Sequence, residues 1–345
     1  MFDFSNARLE KVIVHRVGNA SEQEGIHTSR HPLQLPDEAA VLLMHYFLSP
    51  FKSELLYHLQ HEAETHPNEI IAPLSAIFDD VDANFVRESS QLAKQLYLHS
   101  HHPKVKGGEF YVVFLRDCII DDEVADAIGL FKSETKETFL KIFQQEDDLQ
   151  IGFEDGISIN RLDKGCLIFN TEADRGYLVT IVDAINKKQE AAYWKDGFLQ
   201  VKTRTDKYYQ TGQLMEMAVE VVKEAAGEGL EKPQQIAMVN RAVKYMKQND
   251  AFEEDDFVEE VFHEQPDLVD KFKARKKQFE SEHKDVKLDR FEISPKAIAP
   301  AQKKMKRVIK LDNNFSIVIH GNGEGIEKGE TGGRNYYRLW FDQEK

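Results

Sequence analysis

Residues Gly156–Gly212 read GISINRLDKGCLIFNTEADRGYLVTIVDAINKKQEAAYWKDGFLQVKTRTDKYYQTG, and the chain changes character within them. The first half holds two short apolar runs, Cys166–Phe169 and Tyr177–Val182, rich in β-branched and aromatic residues. Turn formers precede each, Asp163-Lys164-Gly165 and Asp174-Arg175-Gly176. That punctuation predicts strand, turn, strand. From Ala191 to Gln213 the aromatics Tyr193, Trp194, Phe198, Tyr208 and Tyr209 mix with both signs of charge, and an amphipathic helix begins near Thr205 or Asp206. A β-rich half of the chain ends here and a helical half begins.

Toward the N-terminus, Phe110–Leu115, Ala125–Lys132, Thr138–Phe143 and Leu149–Phe153 also read as strands. Their connections are too short for crossover helices, which predicts an antiparallel, meander-like sheet. A first strand is expected over Leu9–Val17, ended by Gly18-Asn19. Pro36-Asp37-Glu38 opens a helix to about Leu48, its acids suiting the helix dipole and its apolar face formed by Val41, Met44, His45 and Leu48. Leu55–Leu59 fits a strand or a helix. Glu69–Phe78 reads as a helix with Pro73 early in it, and a longer helix runs from Asp82 or Asn84 to Ser100 with the stripe Phe85, Ser89, Leu92, Leu96. Helices covering one face of an antiparallel sheet make an α+β arrangement.

Toward the C-terminus, four short helices are expected: from Asp206, over Pro233–Lys247, over Glu254–His263, and over Pro266–Glu282. Strands return at Leu288–Ile293, Arg307–Leu311, Phe315–His320 and Tyr336–Phe341, with residues 283–305 as the nearest approach to a hinge. The expected organisation is an α+β domain over 1–205, a helical subdomain over 206–282, and a basic β-hairpin region over 283–345.

Several motifs carry a family likeness. Asp163-Lys164-Gly165-Cys166-Leu167-Ile168-Phe169-Asn170, followed by Tyr193-Trp194-Lys195-Asp196 and Phe198-Leu199-Gln200-Val201, resembles the bacterial nucleoid-associated protein family of the 37-kDa class. Tyr46-Phe47-Leu48-Ser49-Pro50-Phe51, Lys106-Gly107-Gly108-Glu109 and Asp126-Ala127-Ile128-Gly129-Leu130-Phe131-Lys132 fit the same family. The resemblance implies association with the bacterial nucleoid and carries no catalytic motif.

Composition bounds the function. The 345 residues suffice for one large core or two smaller ones, and no apolar run approaches the length of a membrane span. The N-terminal MFDFSNARLEKVIVH lacks the order of a secretory signal, so a cytoplasmic protein is expected. Cys118 and Cys166 lie in apolar runs and read as buried thiols. A net charge of −15 argues against a protein that coats DNA with its whole surface. Residues 266–345 nevertheless hold 18 of the 45 Lys and Arg and 13 of the 60 Asp and Glu, a balance of +5 against −20 for the rest. That asymmetry suggests separate partners for the two regions.

The first candidate site is the pair of basic clusters Lys271, Lys273, Arg275, Lys276, Lys277 and Lys303, Lys304, Lys306, Arg307, Lys310, which would grip phosphates if brought together. The plainer reading is a solvated helix face paired with Asp270, Glu280 and Glu282. The glycine-rich run from His320-Gly321-Asn322-Gly323-Glu324-Gly325 to Gly332-Gly333-Arg334 lacks the Gly-Lys-Ser/Thr that opens a phosphate-loop helix and reads as a strand connection. Asp126 with Glu134-Thr135-Lys136 resembles a magnesium-holding nuclease set, a pattern that also arises by chance in a charged chain. His99, His101 and His102 lack ligand-spaced carboxylates or thiols and suit a helix terminus. The aromatics Tyr193, Trp194, Phe198, Tyr208 and Tyr209 would stack on bases or a partner's surface or, more simply, form the packing between the sheet and the helical subdomain.

The expected function is a non-enzymatic nucleoid-associated protein. It would bind DNA through the basic C-terminal region, or reach DNA through a protein partner, as a homodimer without cofactor. The alternative is a metal-dependent nucleic-acid enzyme using Asp126, Glu134 and Lys136.

Overall fold

A computed structural model describes residues 2–52, 54–60, 68–184, 193–227, 229–263, 265–284, 286–303, 308–311, 313–319, 325–341 and 343. The chain divides into two compact units, Met1–Arg204 and Thr205–Lys345.

The first unit is a mixed α+β layer structure. Its strands are β1 (Phe2–Asp3), β2 (Arg8–Val17), β3 (Ile26–His27), β4 (Tyr57–Leu59), β5 (Gly108–Ile120), β6 (Glu123–Ser133), β7 (Glu137–Gln145), β8 (Asp148–Gly156), β9 (Lys164–Phe169), β10 (Leu178–Asp183) and β11 (Val201–Thr203). Its helices are α1 (Asp37–Leu48), α2 (Ile71–Asp79) and α3 (Val81–Leu98). Among the described residues nine strands form one sheet in the order β11-β4-β10-β9-β6-β5-β2-β3, with β1 also on β5. Each of these pairings is antiparallel.

The strand–turn–strand reading of residues 163–182 corresponds to β9 and β10, with Leu178 opposite Phe169 and Asp183 opposite Lys164. The turn between them requires glycine at 176. Its φ is +97°, and a Cβ there would meet the Leu59 carbonyl oxygen at 2.0 Å. Only glycine adopts that conformation freely and allows the approach.

Two features differ from the expectation. Helices were expected on one sheet face, yet both faces are covered. Leu74, Ile77, Phe85, Leu92 and Leu96 of α2 and α3 pack with Val112, Phe114, Ile128 and Ile168. Tyr46, Phe47 and Leu48 of α1 pack with Val113, Leu115, Phe131 and Leu167, which point the other way. The physical sign is in β9, buried at all six positions, because a strand covered on both faces needs an unbroken apolar run. In α1 the buried residues are those last three, while Val41 is 67% exposed. The Phe47 ring stacks on Phe131 at 4.3 Å, and that aromatic anchor sets the helix rotation.

The second difference is β7–β8. They do not continue the meander. They pair only with each other, while β6 pairs directly with β9 from Ala127↔Phe169 to Lys132↔Lys164. The β7 strand is exposed at every position, so this hairpin is an excursion from the sheet.

The second unit contains α4 (Lys207–Ala226), α5 (Lys232–Gln248), α6 (Glu254–Phe262), α7 (Pro266–Glu282) and α8 (Pro295–Lys303), with β12 (Ala251–Glu253), β13 (Arg290–Glu292), β14 (Val308–Leu311), β15 (Phe315–Val318), β16 (Ile326–Thr331) and β17 (Arg334–Leu339). Asp206 caps α4 by accepting from Tyr209 N at 3.0 Å. Leu214, Val221, Ile236, Val239, Phe257, Phe262 and Phe272 form its core. Of the expected hinge over residues 283–305, the stretch 286–298 is packed, while 285, 304 and 305 lie outside the described residues. Strand β13 pairs with β12, Phe291 stacks on Phe252 at 5.1 Å, and Ala297 and Ile298 of α8 are buried.

Candidate functional site

The α7 cations are spent largely on carboxylates of their own unit. Arg275 reaches Glu220 at 2.5 Å and Glu224 at 2.6 Å, two acids one helical turn apart on α4. Lys273 lies 3.1 Å from Asp255 and 3.7 Å from Glu254 of α6. Lys276 is buried and bonds to both Glu254 and Asp289, whose carboxylates hold it above the usual lysine range although burial opposes them. Lys271 is half-buried and also engaged. Lys277 and Lys310 are exposed and make no ion pair among the described residues. Lys304, Lys306 and Arg307 lie outside the described residues, as does the side chain of Lys303 at the end of α8. Helical spacing on α7 alone suggested a stripe; the acids that meet it come from α4, α6 and the segment after α7.

The residues that carry the family likeness converge elsewhere, in the first unit. Lys132 on β6 stands opposite Lys164 on β9, and both side chains are enclosed. Lys132 Nζ lies 3.1 Å from Glu134 Oε1 and donates to the Lys106 carbonyl at 2.9 Å. Lys164 Nζ lies 2.9 Å from Asp183 Oδ2. The Tyr193 ring centroid lies 5.4 Å from Lys132 Nζ and 5.2 Å from Lys164 Nζ, and its hydroxyl donates to Glu134. Burial lowers the Lys132 pKa against the pull of Glu134, and burial with Glu134 raises that of Tyr193. Asp163 accepts from Glu134 N and Thr135 N, each at 2.7 Å, tying the end of β6 to the approach to β9. Gly108 belongs to the same neighbourhood, since a Cβ there would meet the Ser133 carbonyl oxygen at 1.8 Å. Enclosed charges of this kind bind no partner directly. They cross-brace two strands, the π-helical segment Tyr193–Leu199 and the loop before β5.

The carboxylate set is not assembled. Asp126 lies near the start of β6 and Glu134 just past its end, eight strand positions or roughly 26 Å apart. Asp126 pairs with Arg116 at 2.5 Å, Glu134 with Lys132, and Lys136 with Glu109 at 3.0 Å. Among the described residues no three His, Cys, Asp or Glu are grouped to hold a metal ion.

The other candidates resolve into structure. Trp194 and Phe198 are buried in the first unit, with rings 5.2 Å apart, while Tyr209 packs on Phe279 in the second. His99 follows α3, and burial moves it away from its charged form. Gly332 and Gly333, with φ of +57° and +75°, make the turn between β16 and β17, whereas residues 320–324 of the glycine-rich run lie outside the described residues. One surface was missed. Arg334, Tyr336 and Arg338 of β17 and Trp340 just past its end recur at every second position, and the Arg338 guanidinium lies 5.9 Å from the Tyr336 ring and 5.4 Å from Trp340. The period-two alternation of cations and aromatics was the available signal.

Among the described residues no helix is long and apolar enough to cross a membrane. No curated protein matches the chain significantly. Residues 13–330 match the family model described as nucleoid-associated protein YejK, NA37. The buried brace and the strands it joins lie within that match, and the chain belongs to this nucleoid-associated protein family.

Proposed function

We propose that the chain is a non-enzymatic nucleoid-associated protein of the cytoplasm that reaches DNA through a protein partner. The observation that carries this reading is the commitment of Lys273, Arg275 and Lys276 to Glu220, Glu224, Glu254, Asp255 and Asp289. A guanidinium already shared by two carboxylates gains little from a phosphate, and a body of net charge −15 repels the duplex. The dispersal of Asp126, Glu134 and Lys136 supports the non-enzymatic half, and no magnesium-dependent cleavage of DNA is expected.

The test is duplex binding by the purified chain across a salt series. Weak affinity and a log–log slope no steeper than about 2, corresponding to two phosphates or so, is expected. Tight binding with a slope of roughly 6 or more would overturn the partner route.

Direct contact is the second reading, favoured by the exposed Lys277 and Lys310, which make no ion pair among the described residues. In it the basic segment Lys303, Lys304, Lys306 and Arg307 joins them on the duplex. Equal affinity of wild type and the Lys303/Lys304/Lys306/Arg307→Ala variant rejects that segment as the contact. A symmetric homodimer would present each contact twice and strengthen either route.

A further inference from the structure

We infer that one face of the β7–β8 ribbon is the interface through which two copies of this chain pair. The inference is independent of how the protein reaches DNA.

Antiparallel pairing places Leu140 opposite Phe153, Ile142 opposite Ile151 and Gln144 opposite Leu149, and opposed residues share a face. Leu140, Ile142, Leu149, Ile151 and Phe153 are 78, 68, 77, 71 and 75% exposed. The opposite face is already furnished. The Phe139 ring lies over Gly156 and the Phe143 ring over Gly152, and Lys141 pairs with Glu154 at 2.8 Å between them. The first face carries five apolar side chains exposed by two thirds or more, whereas on the second Phe139 and Phe143 are each less than half exposed and lie among Lys141, Gln150 and Glu154, so it is the first face that such a strand pair has left to hide. Among the described residues of the unit nothing hides it, because β6 and β9 pair with each other and leave the ribbon outside the sheet. A two-stranded ribbon is marginal in water by itself.

The occupant follows from area, charge and symmetry. Five large side chains exposed by two thirds or more present on the order of 600 Å², the top of what a monomer's largest patch carries. A stable pair hides roughly 800 Å² per partner, and Thr138, Gln144 and the ribbon backbone supply the difference. The five apolar residues carry no charge and offer nothing to a phosphate, and the acid on this face, Asp155, sits at its edge opposite Thr138, whose hydroxyl donates to it at 2.7 Å. A two-fold axis through the Ile142–Ile151 pair sets the Leu140–Phe153 end of one copy on the Gln144–Leu149 end of the other. The same patch then serves both sides, as a closed dimer requires. A second copy always brings the matching surface in equal amount.

The experiment is sedimentation equilibrium of the full chain at micromolar concentration. Wild type should sediment at twice 39.8 kDa and Leu140→Glu/Ile151→Glu at 39.8 kDa, with unchanged far-ultraviolet circular dichroism. Under oxidation Ile142→Cys should give a covalent dimer, whereas Lys141→Cys on the furnished face should not. If the double variant misfolds, the chain with Glu137–Gly156 replaced by a glycine-serine linker answers instead, since the sheet closes without the ribbon; it should be monomeric. A single-chain mass for wild type overturns the inference. So does a two-chain mass that survives either variant, which would indicate pairing by a strand edge or another surface.

Discussion

Lys132 and Lys164 face each other across adjacent strands with their ammonium groups enclosed and the Tyr193 ring within 5.4 Å of both. Two like charges at opposed positions repel. Lys132 is held by Glu134, Lys164 by Asp183, and both by the π-face of Tyr193. Removing the ring removes packing and both cation–π contacts together. Tyr193→Ala should cost about 3 kcal/mol or more, and Tyr193→Phe, which keeps the ring and forfeits the hydroxyl's bonds to Glu134 and Lys132, about 1–2 kcal/mol. Urea denaturation of the two variants checks the ranking.

His15 supplies a pH dependence. The ring is buried on β2, its Nδ1 accepts from Ser29 N at 3.1 Å, and burial, aided by the His27 charge, holds its pKa down to about 4. The unfolded chain takes up that proton near pH 6.5 and the folded chain does not, so stability falls as pH drops from about 6.5 to about 4. The loss at the bottom of that window is about 3 kcal/mol. His15→Phe should flatten this part of the curve, measured as midpoint denaturant concentration against pH.

Both cysteines should resist thiol reagents at pH 8 until the chain unfolds. Cys118 and Cys166 are fully buried free thiols, and burial, with Asp126 and Asp117 nearby, pushes Cys118 up to about 12. Burial raises Cys166 as well. Two equivalents should react in denaturant and none before, as only the thiolate is nucleophilic.

Lys276→Ala should act on stability and leave DNA affinity alone. The substitution leaves the largely enclosed Glu254 carboxylate without this partner and empties a buried position, at a cost of about 1–3 kcal/mol, while Asp289, 74% exposed, is rehydrated. Lys277→Ala, at an exposed neighbour without an ion pair among the described residues, should change stability by less than about 0.5 kcal/mol. Thermal melts paired with duplex titrations separate the two effects.

Local pattern determined much of this protein. The Asp206 cap, the stripe Phe85, Ser89, Leu92, Leu96 and the turn ending in Gly176 each rest on a few neighbouring residues, so the mixed α+β class and the change near Thr205 were legible in the chain. Motif order likewise pointed to the family. Tertiary structure decided the rest. Only the β6–β9 register expels Glu137–Gly156 from the sheet, and only the packing of α4, α6 and α7 brings Glu220, Glu224 and Glu254 to the lysine-rich helix. Strand partners and ion-pair partners lie far apart along the chain, and the Coulomb and packing terms that select them act through space.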